Sequence, residues 1–96
     1  MQTQYTIIAE PHPADRSVTL LLNGKFEEDA IHDLEHSISS ARGAYQHVRI
    51  DLSEVTLVDR KTARYLSAQA SRNIALVNCP AYLRRWITEV SDEEDD

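Results

Sequence analysis

The chain has 96 residues, enough for one hydrophobic core and too few for a second. Apolar residues make up 42% and charged residues 27%, a composition that folds, and no apolar run approaches the ~20 residues that span a bilayer. The formal net charge is −6, but Asp92, Glu93, Glu94, Asp95 and Asp96 close the chain as one acidic run, so the remainder is nearly neutral and lacks the concentrated basic surface that nucleic acid requires.

Residues 4–10 (QYTIIAE) are rich in β-formers and run into Pro11, Pro13 and Asp15, which predicts a first strand and a turn. Residues 16–23 (RSVTLLLN) place Val18, Leu20 and Leu22 on one face and Thr19 and Leu21 on the other. Asn23-Gly24 is expected to stop this second strand, hairpinned to the first. From 27 to 41 the period becomes helical, with Ala30, Ile31, Leu34, Ile38 and Ala41 on one stripe. Glu27, Glu28 and Asp29 crowd the first turn, where the helix dipole favours acids, and Arg42-Gly43 is expected to close the helix. Residues 47–52 (HVRIDL) predict a third strand with Val48, Ile50 and Leu52 inward, and 55–58 a separate short extended piece.

Asp59 is a good N-cap, and Ala63, Leu66 and Ala70 then recur at helical spacing, so a second helix is expected to end near Ser71. Residues 73–77 (NIALV) read as a buried strand. Asn78 is expected to cap a last helix with Pro80 near its start and Leu83, Trp86, Ile87 and Val90 as its apolar side. The order β-β-α-β-α-β-α implies an α/β fold: a mixed sheet with an antiparallel opening hairpin, parallel crossovers and helices packed on one face. The single Cys79 cannot form an internal disulfide, and residues 1–20 lack the basic-then-apolar pattern of a leader, so a cytoplasmic setting is the expectation.

Two motifs, with this order of elements, resemble the STAS domain family of anti-sigma factor antagonists. Leu22-Asn23-Gly24-Lys25-Phe26 looks like its Leu-x-Gly-x-hydrophobic turn, and residues 51–59 (DLSEVTLVD) look like its Asp-Leu-Ser-x-Val-x-hydrophobic-hydrophobic-Asp signature. The match covers roughly residues 5–88 and implies one STAS-like domain over 1–90, followed by a disordered acidic tail at 91–96. It further implies a non-catalytic protein-interaction module with an anti-sigma factor or kinase-like regulator as partner. An accessory subunit of a membrane transport complex is the alternative, and a homodimer is a further option. In regulators of the family Asp-Ser-Ser-Gly carries a phosphorylated second Ser; here Arg60, Lys61 and Thr62 follow Asp59, so Lys61 stands at the switch position. Residues 78–87 (NCPAYLRRWI) are similar to a divergent set of short STAS-like bacterial proteins.

The expected partner-binding residues are Ser53, Asp59, Arg60, Lys61, Thr62, Arg64 and Tyr65. Arg60, Lys61 and Arg64 put positive charge at the positive end of a helix dipole, which costs about 0.3–1 kcal/mol per charge, so stability alone does not favour them there. Lys61 and Arg64 are expected to be exposed and to meet a partner's carboxylates or a phosphorylated group; the competing reading pairs Arg60 and Lys61 with Glu54 or Asp51 and gives them no other role. The acidic tail either competes for the same patch or serves only as a solubilising end. Thr62 is expected on the buried side, which argues against its phosphorylation.

His32-Asp33-Leu34-Glu35-His36 matches an inverted zinc-protease pattern, but Leu34 belongs to the core stripe, so both His are expected in solvent without a shielded cleft. Cys79 before Pro80 could gain reactivity at a helix start, against the plainer reading as a small buried residue on the cap side with no His base nearby. With only Gly24 and Gly43 there is no Gly-rich phosphate loop, and neither a cofactor, a metal nor catalytic residues are expected.

Overall fold

A computed structural model describes residues 4–86. β1 (Tyr5–His12) and β2 (Ser17–Phe26) form an antiparallel hairpin joined by a 3-10 turn at Pro13–Asp15, with Arg16 in the left-handed region (φ 57°). α1 (Ile31–Ala44) leads to β3 (His47–Val58), α2 (Arg60–Ala70) to β4 (Ala75–Val77), and residues 81–86 are helical. The sheet order is β1-β2-β3-β4, with β3 parallel to both β2 and β4. Both crossovers step the same way along the sheet, so right-handed connections put α1 and α2 on the same face. Leu34, Ile38 and Ala41 of α1 and Ala63 and Leu66 of α2 join Val18, Leu20, Leu22, Val48, Ile50 and Leu52 in one core cluster. Each fully buried Leu or Ile there contributes about 1.5–3 kcal/mol relative to exposure.

The expected fold class and order are borne out; several boundaries are not. Asn23-Gly24 does not stop β2, which continues to Phe26. Gly24 sits inside it at φ 107°, where a β-carbon would lie 2.2 Å from the Gln4 carbonyl oxygen, so only glycine lets β1 and β2 approach here. Residues 55–58 are not a separate piece but the second half of β3. Leu21 pairs with Asp51 and Asn23 with Glu54, then Gly24 with Val55 and Lys25 with Leu57, so β3 carries one extra residue at each of two bulges. The bulges change the inward spacing from two residues to three, so Leu52, Val55 and Val58 all stay buried.

α1 begins after a 3-10 turn (Glu28–Ala30) and runs through Gly43 to Ala44 rather than closing at Arg42-Gly43. On α2, Ala70 is exposed and Gln69 takes the inward position. β4 starts two residues later than expected because Asn73 adopts φ 68°. Asn78 does not cap the last helix: it is left-handed (φ 53°), and the Pro80 carbonyl accepts the first helical bond, from Arg84 N–H at 2.9 Å. Leu83 is fully buried and Trp86 packs against the core as expected, whereas Ile87, Val90 and the acidic run lie outside the described residues.

Candidate functional site

The candidate surface is built around two aspartates of the 51–59 motif. Asp51 Oδ1 accepts the Ser53 N–H at 2.8 Å, which pins the first bulge of β3, and Oδ2 accepts from Asn78 Nδ2 at 3.0 Å, which ties in the segment after β4. Asp59 ends β3 in extended conformation and caps α2: Oδ1 accepts the Thr62 N–H at 2.9 Å. Its Oδ2 accepts the Glu28 N–H at 2.9 Å and its own N–H donates to the Phe26 carbonyl at 3.3 Å, so one residue joins the end of β2, the entry to α1 and the start of α2. Burial alone would raise the Asp59 carboxyl, but hydrogen bonding from Thr62 and Glu28 together with the Lys61 charge outweighs it and holds the pKa below the usual carboxylate range. Asp51 behaves likewise: burial opposes ionisation and the bonds from Ser53 and Asn78 restore it.

Ser53, Arg60 and Lys61 are exposed, as a contact surface requires. Lys61 Nζ meets Glu28 Oε1 at 2.9 Å, so its ion-pair partner comes from the entry to α1 and is neither Glu54 nor Asp51. Both side chains are 65% exposed, and such a pair contributes roughly 0–1 kcal/mol. Arg64, expected exposed, is half-buried, and Tyr65 is half-buried against the core, where desolvation, then the Glu35 charge, pushes its phenol up. Thr62 is 0% exposed and therefore cannot touch a partner; it belongs to the scaffold of the site, not its surface.

Sequence reasoning missed an apolar groove beside this surface. Leu57 (42% exposed) and Tyr82 (53% exposed) line a cavity of about 270 Å³ with Val58, Arg85 and Trp86. The Tyr82 hydroxyl donates to the Val55 carbonyl at 3.0 Å, fastening the last helical segment over the end of β3. Leu57 faces out because the second bulge shifts the alternation, and nothing in the spacing of apolar residues announces that bulge.

His32 and His36 are exposed on α1, and no group of three His, Cys, Asp or Glu converges among the described residues. Cys79 is half-buried, and desolvation pushes its thiol up against a lesser opposing pull from Arg84, which favours the plainer reading over the reactive one. Among the described residues no helix is long and apolar enough to cross a membrane.

No protein-family model and no curated protein matches this chain. Among solved structures it is similar to the crystal structure of an antisigma-factor antagonist, a STAS domain from Rhodobacter sphaeroides, with a TM-score of 0.63 at 18% identity, covering 77% of this chain and 86% of that one. The fold is STAS-like.

Proposed function

We propose that this chain is a non-catalytic, cytoplasmic protein-binding module that docks a regulatory partner on Ser53, Arg60, Lys61 and the outer edge of α2 at Arg64 and Tyr65, without a phosphoserine switch. The observation that carries this reading is that exposed Arg60 and Lys61 follow directly on the end of β3, where exposed Leu57 lines an apolar groove with Tyr82, so charge and apolar area are supplied within a few residues of one another. Asp59 acts as a positioning residue: its carboxylate is committed to Thr62 and Glu28 N–H groups and sets the angle at which α2 presents Lys61. The fitting partner displays carboxylates next to an apolar anchor. An anti-sigma factor of the kinase-like kind is the first candidate, because the similar solved structure is named an antisigma-factor antagonist. With Lys61 in place of a phosphorylatable residue, and Thr62 interior, release depends on something other than phosphorylation at this motif.

The test is affinity purification with the tagged full chain, followed by mass spectrometry, in parallel with Lys61→Glu and Leu57→Ser variants whose fold is verified by circular dichroism. A soluble kinase-like protein captured by the wild type and lost from both variants supports the reading. Equal capture by wild type and variants overturns the surface, and recovery of an ATPase with a permease replaces regulation by a role in transport.

A further inference from the structure

The opposite end of the molecule, where α1 and α2 finish and β3 begins, carries a second concavity. Its volume is about 660 Å³, and its polar lining consists of Arg42, Tyr45, Gln46, His47, Arg72 and Asn73. Val48 and Ile74, both nearly fully buried, close the floor. The size lies within the range of small-molecule sites, and convergent polar groups over an apolar base are their usual make-up. Arg42 comes from the last turn of α1 and Arg72 from just beyond α2, so the ends of two different helices each supply an arginine to the lining. No Asp or Glu lines this cavity; Glu35 lines a neighbouring one that shares Arg42 and Arg72. Most acids gather elsewhere, with Glu27, Glu28, Asp29 and Asp33 at the entry to α1 and Asp51, Glu54 and Asp59 toward the far end of β3; at this end Asp15 is already engaged by Ser17 and Arg49. A nearly neutral body therefore has a basic end, and low-dielectric walls focus that field on an anion.

We propose that this cleft binds a small molecule bearing a phosphate group. A carboxylate has two oxygens to offer, whereas two guanidinium forks, a phenol, an imidazole and two carboxamides supply more donors than it can use. A phosphate has three acceptor oxygens and up to two charges, which suits donors on several walls. The Tyr45 ring and the Val48-Ile74 floor hold the remainder of the ligand. The competing account is that Arg42 and Arg72 merely complement the negative ends of two helix dipoles. That account asks for positive charge and nothing of guanidinium geometry, so Lys substitution separates the two.

The test titrates the isotope-labelled full chain with inorganic phosphate, AMP, adenosine and citrate, following backbone amide shifts. Saturable shifts centred on residues 42–48 and 72–74 with phosphate and AMP, and none with adenosine, are expected. Arg42→Lys with Arg72→Lys should keep the melting temperature and weaken AMP at least about tenfold, the loss of one charge-assisted hydrogen bond. Absence of saturation with phosphate and AMP, saturation by citrate alone, or undiminished AMP affinity in the double Lys variant overturns the proposal.

Discussion

Replacing Asp59 with Ala removes two hydrogen bonds with one substitution, because Oδ1 serves the Thr62 N–H and Oδ2 the Glu28 N–H, each at 2.9 Å. Loss of an N-cap side chain costs about 1 kcal/mol. The bond to Glu28 is charge-assisted but near the surface, so the low end of its range applies, about 1.5 kcal/mol. The sum, about 2–2.5 kcal/mol, lowers the melting temperature of a domain this size by roughly 10–15 °C. Asp59→Asn keeps an oxygen for Thr62 but turns an amide NH₂ toward the Glu28 N–H, so its loss should be about 1 kcal/mol smaller. Urea unfolding followed by Trp86 fluorescence and by far-ultraviolet circular dichroism reads both values. Because the folded carboxyl is held below its ordinary pKa, the unfolded chain takes up its proton first. The Asp59 contribution is therefore complete above the usual carboxylate range and drains away as pH falls through it, and the Ala variant should show a shallower acid limb. A cost under about 0.5 kcal/mol, or equal costs for Ala and Asn, would refute the reasoning.

The two glycines should respond with opposite signs in thermal melts. Gly24→Ala meets the Gln4 carbonyl oxygen at φ 107° and should destabilise by about 3 kcal/mol or more, whereas Gly43→Ala, with nothing within 4 Å on α1, should stabilise by about 0.5–1 kcal/mol; equal signs would contradict the geometry. The Tyr5 phenol is pushed up to about 12, first by its hydrogen bond to Asp33, then by burial and by the Asp33 and Asp29 charges. Its neutral form favours the folded state, a contribution present below the ordinary tyrosine range and lost as pH rises toward that value. Tyr5→Phe should accordingly delete the last-ionising of the four tyrosines in an ultraviolet titration, and its persistence would sink the assignment. Thr62→Glu should destabilise by about 3–5 kcal/mol, since it puts an uncompensated charge in the interior, while Thr62→Ser should be far milder. Denaturant curves showing a well-folded Glu variant would reopen Thr62 as a phosphorylation site.

Local chemistry sufficed for the order of elements: period-two runs, the Leu34-Ile38-Ala41 stripe and the Asp59 cap each act within a few residues, so a linear reading reaches them. The same holds for the signature over 51–59, and for the placement of Thr62 inside and Lys61 outside. What the linear order could not reach depends on which strand lies beside which. The bulges of β3 arise from its register against β2, and they alone make one strand of residues 47–58 and turn Leu57 outward. Glu28 becomes the partner of both Asp59 and Lys61 only because the crossover returns the entry of α1 to the start of α2, across 31 and 33 positions. Asn23-Gly24 predicts a stop because Asn-Gly usually turns a chain, but the close approach of β1 uses the freedom of Gly24 to carry β2 onward. The cleft lined by Arg42 and Arg72 has no counterpart in sequence at all, since two arginines 30 positions apart line one cavity only after both helices have packed on one sheet face.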